Sequence, residues 1–176
     1  MINNTKDIII MSTDINFNSD SKVWIYPSNR TLEPSDIETI SSMLQSFIET
    51  WESHGKPLKA SYQILEQRFI LIAVDESYSN ASGCSIDKSV AIIKKLDESL
   101  NLGLLNRGSL SYISSTSEIM TINFDQIKKA ISSGEIDSET IVFDCNITQL
   151  SDLKQNWKKP AKETWLKRMI LQTIFK

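Results

Sequence analysis

Residues 59–74, KASYQILEQRFILIAV, decide the architecture. The first seven alternate, with Ala60, Tyr62 and Ile64 on one side, as a strand with one buried face does. Glu66 and Gln67 make a turn-sized polar break. Phe69 to Val74 is continuously apolar and reads as a central strand covered on both faces.

Upstream, residues 22–26 (KVWIY) are β-branched and aromatic and stop at Pro27, which marks another strand. Pro34, Ser35 and Glu38 spell a helix start with a capping box. Ile37, Ile40, Leu44, Phe47 and Trp51 then recur at helical spacing. Gly55 is placed for a left-handed cap and Pro57 blocks resumption, so His54 is expected in the helix's last turn. Residues 1–21 are rich in Asn, Ser, Asp and Thr and read as a poorly ordered extension, with Met11 a second candidate start.

Downstream, residues 85–100 carry Ile86, Val90, Ile93, Leu96 and Leu100, a second amphipathic helix stopped by Gly103. Residues 110–113 and 119–122 flank a Ser/Thr turn as a hairpin. Asn123 and Gln126 open a short helix bearing Phe124, Ile127 and Ile131. Gly134 ends it, with Ile136 placed for the hydrophobic contact of a Schellman motif. Residues 140–143 form a further strand, and 162–175 a last helix with a wide apolar face. The order β-α-β-β-α-β through residue 113 is the split βαβ plan of ferredoxin-like domains. The expectation is therefore a single α+β domain over 22–176. Two helices cover one face of its sheet, extended by the hairpin, the short helix and strand, and the C-terminal helix.

The composition, 40 % hydrophobic and 23 % charged, is that of a globular chain. No stretch approaches the ~20 apolar residues of a spanning helix. Two cysteines, Cys84 and Cys145, lie far apart and suit a reducing compartment, so the expected location is the cytoplasm. With His54 the only histidine, no structural zinc site can be assembled without carboxylates, and no motif calls for a cofactor. Residues 1–150 carry a net charge of −8 and residues 151–176 a net +5, together the chain's −3. An acidic body excludes a broad nucleic-acid footprint. The basic tail is expected to dock on that body, or to serve as a contact.

One chemistry is excluded outright. A P-loop needs G-x-x-x-x-G-K-[ST], whose backbone N–H groups and lysine hold the polyphosphate. The only glycine pair with that spacing is Gly103 and Gly108, and Ser109-Leu110 follows it. The dinucleotide fingerprint is missing as well.

Five segments, KVWIYPSNR (22–30), HGKPLKASYQIL (54–65), RFILIAVDE (68–76), ASGCSIDKSV (81–90) and IVFD (141–144), resemble a family of short bacterial proteins. That family is commonly labelled "ABC transporter ATPase". The label implies an ATPase, whereas the chain lacks the loop of the P-loop kind. The resemblance implies no catalytic residue. Residues 124–143 resemble the helix–turn–strand portion of GYF-like adaptor modules, which implies a protein-binding role.

Ala81 to Asp87 (ASGCSID) holds the candidate site, because it joins the buried strand to a helix start where N–H groups are free. Ser82, Gly83, Cys84, Ser85 and Asp87 are the expected ligand-binding residues for a small anion. Cys84 there would have a lowered thiol pKa. With His54 and Asp75 from neighbouring loops it makes the candidate catalytic set. Capping by Ser85 and packing of Cys84 explain the same residue types. Trp24 and Tyr26 share a strand face, as RNA-stacking aromatics do, but the central strand offers Phe69, Leu71 and Ala73 where further stacking rings belong. The leading reading is a binding or adaptor protein for a protein partner or small anionic ligand. A cysteine-dependent enzyme acting through Cys84 comes second, and an RNA- or ribosome-associated factor third.

Overall fold

The computed structural model describes residues 17–174. Among them are five α-helices and three antiparallel sheets. Strands β1 (Lys22–Pro27), β4 (Lys59–Leu65) and β5 (Phe69–Asp75) form the first sheet in the order β1-β5-β4. All seven residues of β5 are buried. Because side chains alternate across a strand, Ile70, Ile72 and Val74 enter one core while Phe69, Leu71 and Ala73 enter another. Glu66 and Gln67 both take positive φ, 52° and 49°, and Arg68 N–H closes the turn on Leu65 O at 3.0 Å. This is the two-residue hairpin geometry that matches strand twist.

Helices α1 (Pro34–Thr50) and α2 (Gly83–Leu100) cover the first core with Ile40, Leu44, Ile93 and Leu96, all fully buried. The capping box of α1 uses Glu33 and Asp36 rather than Ser35 and Glu38, with Asp36 accepting from Glu33 N–H at 2.8 Å. Pro34 has no N–H to cap and sits at the helix start. Arg30 bonds Asp36 and also Leu100 O at 3.2 Å, tying the start of α1 to the end of α2. That guanidinium holds the Asp36 carboxyl below its ordinary range. Helix α1 ends before Gly55. Trp51 is buried, with its Nε1 donating to Ser85 O at 2.9 Å, and this draws the chain out of the helix. His54 and Gly55, at φ 51° and 75°, form the turn between β2 (Glu52–Ser53) and β3 (Lys56–Pro57). Left-handed Asn101, not Gly103, caps α2.

The expected ferredoxin-like sheet is not what the chain forms. Strand β6 (Ser109–Ile113) pairs with β7 (Ile119–Asn123) on one edge and β8 (Ile141–Phe143) on the other. With both edges occupied it cannot also border β1. It lies in a second sheet, ordered β7-β6-β8-β9, where β9 is Lys158–Pro160. The outer edge of β1 is met instead by residues 148–149, through Val23 N–H to Thr148 O at 3.0 Å and a bridge from Lys22 to Gln149. Phe143, Ile147 and Trp157 then cover the second face of β5, and Phe69 lies 4.7 Å from Phe143 and 5.2 Å from Trp157. Residues 17–21, read as part of the extension, are tied to helix α4 (Leu150–Asn156). Leu150 N–H donates to Ser21 O, and Ser151 N–H to Ser19 O.

A third core lies under the second sheet. Helix α3 (Phe124–Ser132) ends in the expected Schellman geometry: Glu135 N–H reaches Ala130 O, and Gly134 N–H reaches Ile131 O. The last helix, α5, spans Leu166–Ile174 and follows a tight turn at Ala161–Glu163. Leu166 and Ile170 are buried beside Ile127, Ile131 and Val142. Trp165 and Leu171, expected in the same buried stripe, are 53 % and 45 % exposed. Phe175 lies outside the described residues. The basic tail does dock in part, through Lys158 on Glu66 and Lys162 on Glu139.

Leu166→Ala and Ile170→Ala should therefore each cost ~2–5 kcal/mol, as large-to-small core changes do. Trp165→Ala should cost far less because half of that side chain already faces water. Urea melts of the three variants beside the wild type read this order directly.

Candidate functional site

In the loop at residues 81–87 the two serine hydroxyls are spent on capping. Ser82 is the N-cap of α2 and accepts from Ser85 N–H at 3.3 Å. Ser85 is buried and its hydroxyl donates back to Ser82 O at 2.8 Å. Gly83, Cys84 and Asp87 are exposed. Asp75 is buried at the end of β5 with its own counter-ion, Lys59 Nζ at 2.7 Å, and accepts from Ser77 N–H at 3.0 Å. The Lys59 hydrogen bond, then the Ser77 bonds, lower its carboxyl pKa to about 2, so it is a fixed anion rather than a base. His54 stands at a hairpin tip. Among the described residues no side-chain hydrogen bond or ion pair joins Cys84, His54, Asp75 and Asp87.

A different place gathers chemistry. At the end of β1, between the two sheets, lies a seam of two neighbouring cavities whose linings share Pro27, Asn106 and Ser109. Asn106 shapes the seam: its Oδ1 accepts from Gly108 N–H at 2.9 Å and its Nδ2 donates to Asn123 Oδ1 at 3.0 Å. Asn123 is also the cap of α3, in a box with Gln126. Phe124 follows directly at the first helical position, ahead of the stripe that faces the core, and is 49 % exposed. Trp165 meets it edge-on from just before α5, ring centroids 5.6 Å apart at 61°. This aromatic lobe, also walled by Leu110, Val142 and Phe143, holds about 70 Å³. That is well under the ~300 Å³ at which small-molecule pockets begin, and suits a single side chain.

The lobe itself is lined by one cation and one anion. Arg107 lines it and lies over the Tyr26 ring at 5.5 Å. Lys167 and Arg168 border the apolar surface that Trp165 shares with Leu171, and neither makes an ion pair among the described residues. Asp144 is the acidic wall. Cys145 also lines the lobe, and burial, then Asp144, push its thiol up to about 12. Trp24 and Tyr26, the pair weighed against RNA stacking, pack in the first core, with Trp24 edge-on to Trp51 at 6.5 Å.

The aromatic lobe was hidden in the sequence because Phe124 and Trp165 resemble core residues there. One signal was present. Leu166 and Ile170 fix the buried stripe of α5, and Leu171 lies five residues from Leu166, about 140° round the helix.

In the folded protein, iodoacetamide should modify exposed Cys84 readily and leave Cys145 unmodified at neutral pH, since a thiol pushed so high stays protonated. Mass-mapped alkylation of the wild type and Cys84→Ala checks this. Comparable rates at both thiols would mean the cleft wall opens.

No family model matches the sequence, and no curated protein or solved structure shows significant similarity to it, so no relative lends it a function.

Proposed function

We propose that this chain is a binding protein whose seam docks a short segment of a protein partner, an apolar side chain flanked by acidic residues. The observation that carries the reading is the exposed Phe124–Trp165 pair at the mouth of a cleft sized for one side chain. Aromatic residues and arginine are the side chains enriched at protein interfaces, and contiguous exposed apolar groups in a folded chain mark contact surfaces. Arg107 in the lobe, with Lys167 and Arg168 on the neighbouring apolar surface of Trp165 and Leu171, favours an acidic flank on the ligand, while Asp144 disfavours one beside the lobe itself. Two unpaired thiols, Cys84 and Cys145, fit a reducing, cytoplasmic setting. The element order β1-α1-β4-β5-α2 supports a relation to the ferredoxin-like plan for this first part of the chain, and the seam lies next to the second sheet, where β6 departs from that plan.

The alternative at Cys84 has less behind it, since Asp75 is committed to Lys59 and His54 makes no hydrogen bond among the described residues. The basic tail is partly consumed by Glu66 and Glu139, which weakens the RNA reading.

The test is selection from a random twelve-residue peptide display library. Enriched sequences should pair an aromatic or branched aliphatic residue with Asp or Glu. The best of them, made synthetically, should bind at least roughly tenfold more weakly to Trp165→Ala and to Arg107→Ala, the loss typical of an interface anchor. No enrichment, or equal binding to the variants, would overturn the reading.

A further inference from the structure

A guanidinium is buried behind the seam, one residue away across Thr121, without a counter-charge. Arg68 follows the β4–β5 turn, is only 6 % exposed, and makes no ion pair among the described residues. One terminal amino group, Nη2, donates to Thr121 Oγ1 at 2.8 Å, while Nε is buried with no partner. Burial without a compensating anion also lowers the Arg68 pKa. Arginine stays charged in a protein, so the positive charge remains inside. An unpaired buried charge costs several kcal/mol, which is why such groups are almost always found with an anion.

The surroundings have the shape of a site. Thr121 Oγ1 bonds onward to Ser111 Oγ at 3.0 Å and to Ser28 O at 3.3 Å, so the guanidinium sits in a polar network. Thr121 is in turn a wall of the second lobe of the seam, a cavity of about 240 Å³. That is far more than the ~10–15 Å³ one water requires. The other polar walls are Asn29, Asn106, Ser109, Asn123 and Gln126, and no Asp or Glu lines the cavity. Asn106, Ser109 and Thr121 already donate to neighbouring oxygens, which leaves the amide groups of Asn29, Asn123 and Gln126 as the donors of this lobe, with the Arg68 charge one residue behind it across Thr121.

From this juxtaposition we infer that the amide-lined lobe is an oxyanion-binding site, taking a carboxylate or phosphate group whose charge Arg68 balances. The site shares Pro27, Asn106 and Ser109 with the aromatic lobe, but Arg68 and Gln126 belong only to this side and Phe124, Trp165 and Arg107 only to the other, so the two readings are tested by different variants.

The experiment titrates the full chain with inorganic phosphate and, separately, with acetate, at constant ionic strength set by chloride. The readouts are the Arg68 Nε–H resonance and the melting temperature. A saturable shift of that resonance is expected, with a saturable rise in melting temperature, as linkage requires of a ligand bound only by the folded chain. Arg68→Met should abolish the saturable part and leave only the gradual stabilisation that phosphate gives any protein. Gln126→Ala, which removes an exposed wall amide without touching Arg68, should weaken the saturable response severalfold, and it serves as the decisive variant should Arg68→Met fail to fold, an unchanged response then overturning the site. Saturation by phosphate alone assigns a phosphate-bearing ligand, and saturation by both assigns any oxyanion. No saturable response in the wild type, or the same response in Arg68→Met, would overturn the site and leave the guanidinium simply hydrated.

Discussion

Strand β5 is bonded along both edges and buried on both faces. One layer of helices cannot cover such a strand, since the uncovered side would leave Ile70, Ile72 and Val74 in water on one face, or Phe69 and Leu71 together with Val23 and Ile25 of β1 on the other. At ~1.5–3 kcal/mol for each buried side chain of that size, covering the second face is a demand comparable with the whole stability of a domain. Helices α1 and α2 meet half of it. The other half is met from 80 residues further along the chain by Phe143, Ile147 and Trp157, stacked on Phe69 and Leu71.

That demand places the second sheet. To lay Phe143 and Trp157 on β5, strands β8 and β9 must run beside it, and β6 follows them because it pairs with β8. The sheets are held together along Phe69 and Val23. Both lobes of the seam lie between them at the end of β1. Arg68 and Thr121 bond across it, while the Asn106–Asn123 bond closes the end of the β6–β7 pair. The candidate site is thus a by-product of how one strand gets its second covering layer, lined with whatever side chains the loop at residues 106–109, the start of α3 and the start of α5 bring to it.

What could be read from residues alone follows the same logic. Local periodicity identified β5 as doubly covered, found both large helices, and placed the Schellman end at Gly134, because each of these is written in consecutive side chains. Sheet membership is not, since β6 has an ordinary strand pattern whichever edge it joins. Strand β9 was invisible because Lys158-Lys159-Pro160 has no β-propensity and is held only by backbone pairing at a sheet edge. The turn at Glu66-Gln67 carries no Gly or Asn, though both residues take positive φ. The expected loop at residues 82–87 has the right residues for a helix start, yet these bond to one another. Phe124, Trp165 and Arg68 were passed over because exposure of an aromatic and burial of a cation are properties of the assembled layers.

The account turns on the two sheets forming one cooperative unit around β5. Native-state hydrogen exchange under increasing denaturant measures that directly, since amides of a shared unit open at one common free energy. The amides of Leu71 and Ile72 in β5 and those of Tyr112 and Phe143 in the second sheet should merge into a single global opening. If those of the second sheet instead exchange through a separate, lower-energy opening while β5 stays protected, the second covering layer is not integral, and the seam is a loose joint rather than a built cleft.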